Sequence, residues 1–146
     1  FNIIDSTISI NGSYSGFDID ASDIPDLVPV LTVLACFAEG TSHIRGCKRL
    51  RIKESDRLVS ISTVLNSLGA DVRIVNDELE INGVKELSGG VCSSFNDHRI
   101  AMSLAVASQR CTSPLTITGA ECVAKSYPTF FEDFRALGGE YDVVIV

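Results

Sequence analysis

The sequence has no apolar run approaching the roughly 20 residues that a membrane-spanning helix needs, and its start shows no basic leader with an apolar core and cleavage site. Neither membrane insertion nor secretion is expected. Cysteine is present but unpatterned. Cys36, Cys47, Cys92, Cys111 and Cys122 are odd in number and lack any CxxC or Cys/His ligand spacing, which disfavours a disulfide framework and a zinc site. Reduced thiols of a cytoplasmic protein are the expectation. Histidine is scarce, so a nucleophilic cysteine could draw only on His43 or His98 as its base. Basic charge is short as well. A net charge of -7 argues against nucleic-acid binding, which needs a basic surplus on the face that meets phosphates.

What the chain does have is enough material for one ordinary core: 146 residues, 45% hydrophobic and 21% charged, describe a water-soluble globular unit. It opens at Phe1 directly into a strand-like segment, which reads as a piece of a longer polypeptide. Its charge is unevenly spread. Arg45, Lys48, Arg49, Arg51, Lys53 and Arg57 are half of the 12 Lys and Arg, while acids dominate elsewhere. A local cationic site on an acidic body fits a small anionic ligand.

Residues 1–16 alternate with Ile3, Ile4, Ile8 and Ile10 and carry an Asn11-Gly12 turn signal, which predicts a hairpin. Residues 17–21 alternate again. Ser22 or Asp23 can cap a following helix whose Pro25 and Pro29 are tolerable in or near a first turn, and which runs to about Glu39. Its stretch LVPVLTVLACFA is apolar on every side and predicts a helix buried all round. A strand at 41–46 precedes a helical stripe of Leu58, Ile61, Leu65 and Leu68 that Gly69 ends. Paired strands at 71–75 and 79–82, a Gly89-Gly90 turn, a strand at 91–95, a helix over 97–109 and a strand at 115–118 follow. Ser126 and Pro128 open a last helix bearing Phe130, Phe131, Phe134 and Leu137, and residues 141–146 read as a strand.

This order repeats with an offset of roughly 70 residues. His43-Ile44-Arg45-Gly46 answers Thr116-Ile117-Thr118-Gly119, Lys53 answers Lys125, and Leu68-Gly69-Ala70 answers Leu137-Gly138-Gly139. Two βαβαββ-like units, at about 17–85 and 90–146, are the simplest reading. Since the first helix of each is apolar, these helices belong in the centre with sheets outside, the reverse of a barrel with outer helices.

Four polar clusters then fall at predicted helix N-termini: IPD at 24–26, KESDR at 53–57 within RIKESDRL, NDHR at 96–99 within NDHRIAM, and AKSYP at 124–128. Such ends offer free N–H groups and the positive pole of the helix dipole. If the repeats bring them to one side, Lys53, Arg57, Arg99 and Lys125 surround carboxylates or phosphates, with arginine gripping through paired hydrogen bonds. In a helix Lys53 and Arg57, four apart, share a face flanked by Glu54 and Asp56. Plainer readings exist: Asp26, Asp97 and Ser126 as N-caps, Lys53, Glu54 and Arg57 as a solvated face of intrahelical pairs, His98 as a structural residue. Recurrence of one placement across the set favours a site.

KESDR, NDHRIAM, the IPD before an apolar helix and ECVAKSYPTFFEDF resemble, over nearly the whole chain, the C-terminal part of the 5-enolpyruvylshikimate-3-phosphate synthase family. The resemblance implies an inside-out α/β barrel of repeated βαβαββ units with buried helices and outer sheets, and residues 1–146 as part of the C-terminal domain. It implies a cytoplasmic transferase of the shikimate pathway, moving the enolpyruvyl group of phosphoenolpyruvate to the 5-hydroxyl of shikimate 3-phosphate without metal or organic cofactor. Carried over by motif, Asp26 and Lys53 serve the attacking hydroxyl and contact shikimate 3-phosphate, and Glu54 exchanges a proton with the methylene carbon. Arg57, Arg99 and Lys125 hold phosphoenolpyruvate, and His98 supports its phosphate or the neighbouring acid. Arg49 departs from the asparagine that some members carry four residues before the motif lysine. The family's first-domain lysine, serine and arginine groups have no counterpart here, so this chain alone is expected to be folded but inactive. A non-catalytic anion-binding module of the same fold is a second reading. A third is an enolpyruvyl transferase acting on UDP-N-acetylglucosamine, which lacks KESDR followed by NDHR.

Overall fold

The computed structural model describes residues 2–4, 7–9 and 12–144. Strands β1 (Asn2–Ile4) and β2 (Thr7–Ser9) form an antiparallel hairpin that pairs Ile3 with Ile8. The predicted turn at Asn11-Gly12 includes Asn11, which lies outside the described residues.

From β3 (Asp18–Asp20) the chain follows the order β-α-β-α-β-β through α1 (Val28–Ala35), β4 (Thr41–Arg45), α2 (Arg57–Ser67), β5 (Asp71–Val75) and β6 (Glu78–Asn82). The four strands make one sheet in the order β3-β4-β6-β5, with β3 and β4 parallel and the other pairings antiparallel. Alternation sorts its faces: Ser42, Ile44, Leu79, Ile81 and Val72 point into the core, while Thr41, His43 and Arg45 point outward. Against the inner face α2 buries Leu58, Ile61 and Leu65, each such burial contributing about 1.5–3 kcal/mol. A second parallel pair, β7 (Gly90–Ser93) with β8 (Leu115–Thr118), flanks α3 (His98–Ser108), and α4 (Phe130–Ala136) comes last. The architecture is mixed α/β, with α1 and α3 packed on each other inside and the sheets outside.

Two glycines mark matching corners. Gly46 and Gly119 adopt left-handed conformations, with φ of 72° and 70°, and each opens a 3₁₀ turn, at Cys47–Ile52 and Ala120–Lys125. A Cβ at Gly46 would stand 2.3 Å from Ser22 Oγ, so the corner is fixed sterically as well as by torsion.

Several boundaries differ from expectation. Neither Ser22 nor Asp23 caps the helix after β3: Ser22 donates to Asp20 Oδ1 (2.6 Å), and Pro25–Leu27 is a 3₁₀ turn without a side-chain cap. The helix stops at Ala35, short of Glu39, because Glu39 pairs with Ser15 as a bridge and Val84 N–H takes the Cys36 carbonyl. Nor is α1 buried all round. Val28, Thr32, Val33 and Ala35 are covered, but Val30 and Leu34 are open and line a groove of about 370 Å³ with Tyr14, Phe37 and Val106. Residues 141–144 form no strand; the hairpin partner that β6 supplies to β5 has no counterpart among the described residues. No helix among them is long and apolar enough to cross a membrane.

Candidate functional site

The site is built where the beginnings of α1, α2 and α3 converge. Asp26 sits in the 3₁₀ turn before α1, Lys53 and Glu54 in the bend before α2, Arg57 at the first position of α2, and His98 and Arg99 at the start of α3. Asp26 Oδ1 accepts hydrogen bonds from Lys53 Nζ (3.1 Å) and Arg57 Nη1 (2.8 Å), and its Oδ2 lies 3.7 Å from Arg99 Nη2. Glu54 Oε2 accepts from Arg57 Nη2 at 2.7 Å. Lys125 joins at the margin, donating to Asn96 Oδ1 at 3.1 Å, one residue before Asp97. The cations and carboxylates named from sequence thus share one rim.

Lys53 does not reach that rim as expected. It lies before α2 in an extended conformation rather than on a helical face with Arg57, because Asp56 caps the helix by accepting from Val59 N–H. Meeting at Asp26 replaces helical stacking. Asp26 and Ser126 do not act as N-caps. His98 is buried, its Nδ1 has no partner among the described residues, and it makes no hydrogen bond to Asp26 or Glu54. Arg49 is exposed on the 3₁₀ turn after Gly46.

Asp97 is the residue that sequence reasoning undervalued. It caps α3 by accepting from Arg99 N–H (2.9 Å), as a capping aspartate should, but its carboxylate also takes Arg57 Nε (2.8 Å), Arg57 Nη2 (3.2 Å) and Ser55 Oγ (3.0 Å). Its side chain is wholly buried and that of Arg57 is 1% exposed. The only sequence signal was an acid placed directly before an apolar helix. Ser55 and Asn96 were likewise missed.

The electrostatics follow. The hydrogen bond from Lys53 is the main cause that holds the Asp26 carboxyl below its ordinary pKa; partial burial opposes it and Arg57 reinforces it. Burial pushes the Asp97 carboxyl up, yet Arg57, Arg99 N–H and Ser55 together outweigh that and leave it lowered. Burial likewise pulls the Arg57 guanidinium down, and Asp97, Glu54 and Asp26 more than restore it. All three groups stay charged at neutral pH. The thiols are the opposite case: burial pushes Cys36 up to about 12 and Cys47 to about 11, which suppresses the nucleophilic thiolate. Five free cysteines and no metal-capable cluster of His, Cys, Asp and Glu occur among the described residues.

A fold of outer sheets over buried helices, with carboxylates and cations gathered at helix starts, is that of the enolpyruvyl transferases. The structure of the Acinetobacter baumannii EPSP synthase superposes with a TM-score of 0.84 at 34% identity, covering 91% of this chain and 32% of that one. The enolpyruvyl transferase NikO from Streptomyces tendae, at 21% identity and a TM-score of 0.73 over 90% of this chain and 30% of that one, shares the fold. Residues 3–134 match the sequence model of EPSP synthase (3-phosphoshikimate 1-carboxyvinyltransferase), and the chain belongs to that family. The 3-phosphoshikimate 1-carboxyvinyltransferase of Clostridium kluyveri is 55% identical over 139 residues, 94% of this chain and 33% of the relative. That of Clostridioides difficile is 50% identical over 134 residues, 91% of this chain and 31% of the relative. The chain spans about a third of the length of these relatives.

Proposed function

We propose that the polypeptide of which this chain is a part transfers the enolpyruvyl group of phosphoenolpyruvate to the 5-hydroxyl of shikimate 3-phosphate and releases phosphate, as the family resemblance implies. On this reading the chain is part of the C-terminal domain, with repeat units at about 17–85 and 90–146. It works in the cytoplasm beside an N-terminal domain that completes both substrate sites. The observation that carries the reading is the carboxylate of Asp26 held 3.1 Å from Lys53 Nζ and 2.8 Å from Arg57 Nη1.

Addition needs one proton removed from oxygen and one placed on carbon. Asp26, kept ionised by its cations, takes the proton of the 5-hydroxyl as that oxygen bonds to the central carbon of phosphoenolpyruvate, and Lys53 beside it stabilises the oxygen as the proton leaves. Glu54, entering the reaction in its protonated form and positioned by Arg57, delivers that proton to the methylene carbon. Elimination reverses that carbon step, with the proton returning to Glu54 as the carbon–oxygen bond to phosphate breaks. Arg57, Arg99 and Lys125 hold phosphoenolpyruvate, and His98, at the start of α3, supports its phosphate.

The test is phosphate release from phosphoenolpyruvate, with and without shikimate 3-phosphate, by a chimera in which this chain replaces the corresponding third of the Clostridium kluyveri relative. Lys53→Ala and Asp26→Ala should each lower release by about 10²–10⁴-fold with folding intact. Shikimate 3-phosphate-independent release, or variants turning over at the parent rate, would reject the assignment.

A further inference from the structure

Arg51 takes no part in the chemistry above, yet its guanidinium is held by two carboxylates. Its Nε and Nη2 donate to Asp77 Oδ1 (3.0 and 2.9 Å) and its Nη1 to Asp56 Oδ2 (2.9 Å). Both acceptors are anchored elsewhere. Asp77 and Asn76, at φ of 60° and 51°, form the two-residue turn that closes β5 on β6, a geometry of type I′ that grips the strands tightly. The other oxygen of Asp56 caps α2.

Between Arg51 and Asp56 lies the bend that carries Lys53 and Glu54, and it has few supports of its own. None of the backbone hydrogen bonds between separate elements involves residues 53–55, and Ile52 is 85% exposed, so packing does not locate it. Side chains must do so. We infer that Arg51 is a positioning residue: strapped between the β5–β6 turn and the α2 cap, it sets where the bend presents Lys53 and Glu54 to Asp26. Lysine, a point charge without the guanidinium fork, cannot span both carboxylates in this way. The inference rests on the catalytic roles proposed for Lys53 and Glu54.

Asp77→Asn separates positioning from simple charge. Removing a negative charge near an anion site should strengthen substrate binding if electrostatics alone matter, whereas a loosened strap should weaken turnover. In the chimera, Asp77→Asn and Arg51→Lys are both expected to lower kcat by about tenfold or more, a displacement of the order of an ångström being enough. A purely structural role would instead lower the melting temperature and leave kcat per folded molecule unchanged. Values of kcat and KM within about twofold of the parent in both variants would overturn the inference. An inactive parent chimera would count against the proposed function, not against the strap. The 146-residue chain would then decide by NMR: movement of the Lys53 side-chain ammonium signal in Asp77→Asn supports the strap, and an unmoved signal overturns it.

Discussion

A carboxylate with no exposure to water is held ionised by a guanidinium that is itself buried, and both belong to clusters that the chain separates by some 40 residues. Breaking such a pair by removing one charge costs about 3–5 kcal/mol, because the survivor keeps its desolvation without its partner. Asp97→Asn should therefore lower the urea-unfolding free energy by about 3 kcal/mol, the low end, since Arg57 retains Asp26 and Glu54. The pH dependence has a definite sign. The folded pKa of Asp97 lies below its ordinary 3.8, so its stabilisation is complete above that value and is lost as pH falls through the folded one. Thermal melts should be level from pH 7 to about 5 and decline below about 4, and Asp97→Asn should remove part of that decline. A melting temperature that falls as steeply in the variant as in the parent would contradict the pairing. That Lys53, Arg57 and Arg99 are cations placed near helix starts was readable, because charge type and position along the chain are local facts. The reach of Asp97 to Arg57 is a tertiary fact, invisible until α2 and α3 are packed.

Elements with one apolar stripe came through best. For α2 the stripe of Leu58, Ile61, Leu65 and Leu68 and the terminating Gly69 located a helix now seen at Arg57–Ser67. The same logic failed where context decides. Leu137 completes an apparent stripe with Phe130 and Phe134, yet it is 90% exposed just beyond the end of α4. Leu65→Ala should cost about 2–5 kcal/mol by chemical denaturation, and Leu137→Ala less than about 0.5. Comparable losses at both would mean that α4 is packed much as α2 is. The end of α1 was misread for another reason: apolar residues continue to Ala38, but the Ser15–Glu39 bridge and the 83–84 segment capture the backbone groups that a longer helix would need.

At the scale of the molecule, recurring turn motifs located corners of the fold and charge balance limits the function. The matched corners at Gly46 and Gly119 were legible because His43-Ile44-Arg45-Gly46 and Thr116-Ile117-Thr118-Gly119 carry like turn chemistry, whereas the parallel pairing of β3 with β4 and of β7 with β8 is a fact of the structure. The open side of α1 was not, since uniform apolarity says that a helix is to be covered and not by what. Within the site, Lys53, Arg57 and Arg99 stand against Asp26, Glu54 and Asp97, three cations against three carboxylates, with Lys125 in addition. The two substrates of the proposed reaction, which bear phosphate and carboxylate groups, would need more uncompensated positive charge than this. The resemblance assigns that charge to the other domain. The 146-residue chain by itself is therefore expected to be folded, by a cooperative thermal transition, but to release no phosphate from phosphoenolpyruvate above background. Joining it to the remaining two-thirds of a relative should restore release, and turnover by the isolated chain near a relative's rate would show that the balanced cluster suffices.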